Sequence, residues 1–313
     1  MTKETYMSCR NEKKDWEVEF ERERQEKTAG IEEILRAYLP EKQGQQRLIM
    51  EAMEYSLLAG GKRLRPMLMQ ETYALFGGRE KVVEPFMAAI EMIHTYSLVH
   101  DDLPAMDNDD YRRGRRTTHV VYGEDMGILA GDALLNYAFE TATLAFEQYP
   151  DRALLIGKAL RILAVKAGIY GMIGGQVVDV KETGHAVSRE VLDFIYELKT
   201  GALIESSMMI GAVLAGASDA EVEKVEKIAS AVGFAFQVQD DILDVTGTSD
   251  VLGKPVHSDE KNEKSTYVTL TGLAEASRIV EDASREAIRL LAELPGDNPY
   301  LSRLLEKLIH REK

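Results

Sequence analysis

Apolar residues in this chain recur at three- and four-residue intervals over most of its length, and that period admits little besides packed helices. Val82, Val83, Phe86, Ala89, Ile90 and Ile93 form one stripe, and Val222, Val225, Ile228, Ala229 and Val232 form a second. A third runs through Ala276, Ile279, Val280, Ala283, Ala287, Leu290 and Leu291. Ser218 followed by Glu221 has the form of a capping box, and Gly77-Gly78, Gly123 and Pro150 interrupt the periodic runs where loops belong. Evidence for strands is thin. With no Pro/Ser-rich linker and no repeat, the reading is all-α: a charged N-terminal extension or first helix over residues 1–30, then one domain of packed helices over 31–313. The run from Lys13 to Lys27 mixes both signs and reads as a solvated helix or a frayed extension. Gly247 to Lys264 lacks the helical period and reads as a long functional loop, because structureless loops of that length are otherwise uncommon.

Composition narrows the function. A formal net charge of −15 argues against nucleic acid as a partner, since phosphate-backbone binding needs a basic footprint. Cys9 is the single cysteine, which excludes an intramolecular disulfide and a thiolate zinc site. No stretch approaches the ~20 apolar residues of a membrane span, and the first thirty residues hold no apolar signal region, so the expected location is cytoplasmic.

The sharpest local feature is His100-Asp101-Asp102-Leu103-Pro104-Ala105-Met106-Asp107-Asn108-Asp109-Asp110, which crowds carboxylates at the end of an apolar helical stripe. Such charges repel one another, and a helix C-terminus already carries partial negative charge, so a cation is the natural remedy. An all-oxygen carboxylate set suits a hard ion such as Mg²⁺, which keeps waters and shares substrate phosphates. The Gly and Glu that an EF-hand calcium loop needs are missing. Downstream, Gln237, Asp240, Asp241 and Asp244 follow a second apolar run, with Asp240 and Asp244 one above the other on a helix face. An isolated Asp pair would read as a solvated helix end. Two clusters, each behind a long apolar run, point to metal ions held around one diphosphate.

Positive groups stand beside these acids. Gly60-Gly61-Lys62-Arg63-Leu64-Arg65-Pro66 combines glycines that permit close backbone approach with Lys62 and Arg65, which share a face if a helix begins there. Arg112-Arg113-Gly114-Arg115-Arg116 follows the first acidic cluster directly. His94 precedes Asp101 by two helical turns and reads either as a core imidazole or as part of the same face. Lys199-Thr200-Gly201 lies inside an apolar helical segment, where a lysine is costly without an anionic partner; Lys254 and Lys264 lie in the long loop.

On these segments the chain resembles the trans-isoprenyl diphosphate synthases, and among them the bacterial farnesyl diphosphate synthases. The segments are GGKRLRP (60–66), IHTYSLVHDDLPAMDNDDYRRG (93–114), GILAGDALL (127–135), GGQVVDV (174–180), LKTGALIESS (198–207) and FQVQDDILDVTG (236–247), followed by LGKPV and EKSTY. The resemblance covers the chain from about Ile31 onward. It implies a single polyprenyl synthase domain of antiparallel helices around a deep central cavity, a homodimer, and three Mg²⁺ ions per site with substrate bound. Asp101, Asp107 and Asp240 would be metal ligands, with Asp102, Asp241 and Asp244 belonging to the same metal set. Lys62, Arg65, His94 and Arg113 would hold isopentenyl diphosphate. Arg112, Lys199, Lys254 and Lys264 would clamp an allylic diphosphate, and Lys199, Thr200 and Gln237 would stabilise the allylic cation. Tyr96 and Ser97 would set product length, Tyr96 lying five residues, about 7.5 Å of helix, before Asp101. A bulky ring there resembles the pattern of farnesyl synthases.

The expected reaction is condensation of isopentenyl diphosphate with dimethylallyl or geranyl diphosphate to farnesyl diphosphate. The rival readings are a geranylgeranyl diphosphate synthase, a terpene cyclase, against which the Gly-Gly-Lys-Arg patch argues, and a catalytically silent subunit, against which the full complement of acids and bases argues. Two departures stand out: His257 occupies a position where glycine is common in relatives, and residues 1–20 extend beyond the usual start.

Overall fold

A computed structural model of the chain describes the backbone of residues 3–246 and 265–309, with side chains from residue 16 onward. Lys254, His257 and Lys264, with the rest of the 247–264 segment read from the sequence as a loop, lie outside the described residues.

Helices account for the architecture: α1 (Lys3–Ala37), α2 (Arg47–Leu57), α3 (Leu64–Leu75), α4 (Glu84–Asp101), α5 (Thr118–Tyr122), α6 (Glu124–Gln148), α7 (Ala153–Ala167), α8 (Met172–Glu182), α9 (Arg189–Ile195), α10 (Ala202–Leu214), α11 (Asp219–Thr246), α12 (Tyr267–Thr271), α13 (Leu273–Leu291) and α14 (Pro299–Ile309). Among the described residues the only strands are a two-residue hairpin, β1 (Tyr111–Arg112) with β2 (Arg115–Arg116), antiparallel with Arg112 opposite Arg115. The expected all-α class is what is found.

At the centre lies α10, buried on every residue and packed by α3, α7 and α11. A helix apolar all round belongs in a core, and its polar residues must find partners there. Glu205 is met by Lys166 of α7, whose ammonium also reaches Glu226 of α11 at 2.7 Å, and the Ser207 hydroxyl donates to the Leu203 carbonyl at 2.7 Å; the Ser206 hydroxyl is the exception, buried without a partner. Helix α4 is nearly as buried, packed chiefly by α6, so Phe86, Ala89, Ile90 and Ile93 of the first stripe are one side of a largely covered element, while Val82 and Val83 lie in a short 3-10 turn (Lys81–Val83) just before it. The other two stripes fall as expected: Val222, Val225, Ile228, Ala229 and Val232 are buried on α11, and Ala276, Val280, Ala287, Leu290 and Leu291 on α13. The Ser218–Glu221 capping box forms, the Glu221 amide donating to Ser218 Oγ and the Ser218 amide to Glu221 Oε2.

Helix α1 runs unbroken through the charged start of the chain, and Phe20, Ile31 and Leu35 on it enter the same core as α3 and α4. Among its described side chains, Lys27 pairs with Glu71 of α3 at 2.8 Å. No described helix is long and apolar enough to cross a membrane.

Candidate active site

The last turn of α4 delivers Asp101 to the mouth of a cavity of about 880 Å³ lined on the α4 side by Arg65, His94, Tyr96 and Ser97 and on the far side by Met172, Gln176, Lys199 and Thr200. His94 and Asp101, two turns apart, thus share the face that their spacing predicts. The interior is largely apolar, with Leu103, Leu135, Ile173 and Val177 along its walls.

Asp101 is held by Gln176 of α8, whose amide nitrogen donates to its Oδ1 at 2.7 Å. Burial pushes the Asp101 carboxyl up to about 6, against the pull of Lys199. A carboxylate desolvated to that degree is a group whose charged form a cation would stabilise. Asp102 turns the other way: it is 4% exposed, and Arg112 donates to its Oδ1 at 2.6 Å from both Nε and Nη2. Burial raises its pKa while Arg112 lowers it. Asp107, Asp109 and Asp110 are exposed on the turn that follows, tied by backbone bonds from the Asp107 amide to the Asp101 carbonyl and from the Asp109 amide to the Asp102 carbonyl.

That turn leads into the β1–β2 hairpin, closed by Arg113 (φ 53°) and Gly114 (φ 75°), the pair of left-handed residues that a two-residue hairpin turn demands. The left-handed conformation costs a non-glycine residue roughly 1 kcal/mol, and here it carries the Arg113 guanidinium back to the Gly60 carbonyl. Gly60 and Gly61 also have positive φ, and a side chain at Gly61 would collide with Arg113. Helix α3 begins at Leu64, so Arg65 lies in its first turn while Lys62 stands exposed in the loop ahead of it; the two do not share one helix. His94 is surrounded by Arg65, Arg113, Arg112 and Arg63. Burial first, and those cations second, hold its imidazole neutral, well below its usual range. Burial likewise lowers Arg65 to about 10, and its Nε has no hydrogen-bond partner.

Lys199 and Thr200 sit in a π-helical turn, Tyr196–Gly201, between α9 and α10. A π turn widens the backbone ring and interrupts the regular hydrogen-bond ladder, a distortion frequent at functional sites. It is pinched between two helices whose backbones approach closely because they present glycine: Gly175 of α8 lies against the Lys199 backbone, and Gly233 of α11 against Gly201. Lys199 is paired with Asp179 of α8 at 2.5 Å, and the Thr200 hydroxyl donates to Gln237 Oε1 of α11 at 2.9 Å. Lys199 and Thr200 also line a smaller adjoining pocket of about 130 Å³, which adds Asp179, Gln237 and Asp241. The turn therefore joins the Asp101 side of the site to the second aspartate cluster.

In that second cluster Asp241 is 2% exposed, and its Oδ2 accepts from the Tyr196 hydroxyl and from the Tyr267 amide, both at 2.7 Å. Asp240 is half-buried and Asp244 is buried. Among the described residues no three acidic or histidine side chains converge tightly enough to cage an ion by themselves. Asp101 lines the larger cavity and Asp241 the smaller one, while Asp107, Asp240 and Asp244 line neither; separated carboxylates of this kind suit Mg²⁺, which completes its shell with water and phosphate oxygens.

Spacing alone assigns Gln176 and Asp179 of the GGQVVDV segment no task, although they stand three residues apart on one face of α8 and reach Asp101 and Lys199 respectively. Arg63 and Glu91, both 2% exposed, likewise gain no role from the sequence, because burial of charge cannot be seen in a segment that reads as surface-basic.

Helices layered about a buried α10, enclosing a cavity with Asp101 in its wall and a smaller adjoining pocket lined by Asp241, define the isoprenoid synthase fold. A crystal structure of an FPP/GFPP synthase from Zymomonas mobilis superposes with a TM-score of 0.82 at 30% identity, covering 93% of this chain and 99% of that one. The chain belongs to the polyprenyl synthetase family, whose model matches residues 46–294. It is 41% identical to the farnesyl diphosphate synthase of Geobacillus stearothermophilus, over 92% of this chain and 96% of that protein. It is 50% identical to the chloroplastic geranylgeranyl pyrophosphate synthase of Capsicum annuum over 77% of this chain, a match spanning 65% of the pepper protein's length.

Proposed function

We propose that the protein is a prenyltransferase that condenses isopentenyl diphosphate with dimethylallyl or geranyl diphosphate, with farnesyl diphosphate as its product. The observation that carries this reading is the polarity of the cavity: Asp101, Lys199, Arg65 and His94 line it together with the apolar Leu103, Leu135, Ile173 and Val177, and the charges of Arg112 and Arg113 act on His94 from beside it.

Asp101, Asp107, Asp240 and Asp244 would hold Mg²⁺, with Asp102 in support. The metal ions would supply charge stabilisation for the departing diphosphate. Asp241 fits such a set less directly, because its Oδ2 is already engaged by Tyr196 and Tyr267. Lys199 and Arg112 face the allylic diphosphate in this reading, each now held by a carboxylate, Asp179 and Asp102, that an anionic ligand would displace or share. Lys254 and Lys264 complete that clamp. Lys62, Arg65, neutral His94 and Arg113 bind the second diphosphate. When the allylic C–O bond breaks, the electron pair leaves with the diphosphate. The alkene of isopentenyl diphosphate then attacks the allylic carbon, and the adjacent proton passes to the departed diphosphate. Thr200 and Gln237, bonded to one another, present their dipoles to the cation. The assembly is read as a homodimer.

Farnesyl as the product is supported by Tyr96, 6% exposed, which sits in the cavity wall with its ring edge-on to His100 at 5.8 Å and its hydroxyl buried without a partner. A ring there shortens the space available to a growing chain. A geranylgeranyl product is the second reading, favoured by the cavity's continuation past Tyr96 to Ile128, Val177 and Val180.

Purified protein with Mg²⁺, isopentenyl diphosphate and either allylic substrate decides the matter, with the dephosphorylated alcohols sized by chromatography. Farnesol should dominate, and Tyr96→Ala should lengthen the product. Geranylgeraniol from the unaltered chain would overturn the product assignment, and absence of Mg²⁺-dependent condensation would overturn the reaction.

A further inference from the structure

Arg63 is 2% exposed, and each nitrogen of its guanidinium is taken up by a protein acceptor. Its Nε donates to Glu32 of α1 at 2.5 Å, its Nη1 to Glu91 of α4 at 2.7 Å, and its Nη2 to the Leu57 carbonyl at the end of α2 at 2.8 Å. Three helices thus grip one guanidinium, whose own backbone is left-handed (φ 49°). Arg63 stands between Lys62 and Arg65 in sequence, so fixing it fixes the loop that carries both. Glu91 lies one turn before His94 on α4, is 2% exposed, and its charge also acts on Arg65 and Arg113. It is the carboxylate beneath a group of cations that would otherwise repel one another.

Resting on the reading above, in which this group binds isopentenyl diphosphate, we infer that Glu91 and Glu32 are positioning residues for that second substrate. They act through Arg63 to hold the Lys62–Arg65 loop, and α1 thereby takes part in building the site. A buried ion network with one member removed leaves an uncompensated charge in a low-dielectric site, and the loop must shift to rehydrate it. The cost falls on the side of the cavity served by that loop. The allylic side, organised by α8, the π turn and α11, shares none of these bonds.

The test titrates isopentenyl diphosphate alone, with no allylic partner, calorimetrically into the full chain and into its Glu91→Gln and Glu32→Gln variants, and measures KM for both substrates. Glu91→Gln should weaken isopentenyl diphosphate binding by ~10-fold or more and Glu32→Gln by ~3-fold, with the allylic KM within about twofold of the starting protein, in line with the loss of one charge-assisted bond. Should Glu91→Gln fail to fold, Glu32→Gln decides, since Glu32 is 25% exposed and its loss is milder. Unchanged isopentenyl diphosphate binding in a folded variant, or an equal rise in both KM values, would overturn the inference. Absence of Mg²⁺-dependent condensation by the unaltered protein would remove the proposed activity itself, and this is seen before any variant is compared.

Discussion

The two aspartate clusters have the same look in sequence and are built by opposite means. The first, from Asp101 to Asp110, sits at a helix end and spills onto an exposed turn. Its buried members are steadied by partners from other elements, Asp101 by Gln176 and Asp102 by Arg112. The second lies along α11, where Asp241 is turned into the core and accepts two hydrogen bonds, from the Tyr196 hydroxyl and the Tyr267 amide. Asp241 therefore ties the π turn and α12 to α11, while Asp240 beside it stays only half-buried. The middle aspartate of a cluster can thus be a structural peg even when the motif around it reads as ligand throughout.

On the proposed reading, in which Asp101 serves the developing charge, replacing it with Ala should cut condensation by ~10³-fold or more, with the fold intact by circular dichroism. A variant that retained a tenth of the activity would show that the first cluster does not act on the reacting diphosphate. The second cluster should split instead. Asp241→Ala leaves a hydroxyl and an amide buried without acceptors and should destabilise the protein by about 2–4 kcal/mol in thermal or urea unfolding. Asp240→Ala, at a half-buried position, should lower the midpoint less than Asp241→Ala and act mainly on rate. Equal destabilisation by both would erase the contrast between peg and ligand.

Arg112→Met should cost about 1–3 kcal/mol, because Asp102 is left buried without its charge-assisted bonds, and the loss should show in unfolding as well as in turnover. The smallest effect belongs to His94. Its folded-state pKa lies below the unfolded value of about 6.5, so above that pH neither state is charged and nothing is lost. As pH falls below about 6.5 the unfolded chain takes up a proton that the folded one refuses, and stability declines by at most about 1.4 kcal/mol per pH unit from this group. Unfolding curves between pH 7 and pH 5 should show a component that His94→Gln removes.

Much of this site is legible in residue type and helical spacing alone. The stripes on α11 and α13, the Ser218 cap and the partnership of His94 and Asp101 on one face all follow from them, whereas the place of Tyr96 beside a cavity came from the family resemblance. Spacing failed where a residue's environment comes from elsewhere in the chain. Lys62 and Arg65 fall on either side of a helix start, because Arg63 takes a left-handed conformation that its burial against Glu32 and Glu91 holds in place. Gln176 and Asp179 gain their tasks only from Asp101 and Lys199, residues 75 and 20 positions away.

The sequence by itself determined the helical class, the two acidic clusters and the basic loops, because periodicity and local charge density are properties of neighbouring residues. Tertiary structure alone decided which charges are buried, and with what partner. It decided that Asp241 faces inward, that Arg63 anchors a loop instead of meeting a ligand, and that Lys199 and Thr200 are carried on a π turn clamped between Gly175 and Gly233. The cost of burying an ion is set by everything within a few ångströms, and those neighbours come from helices far apart in the chain.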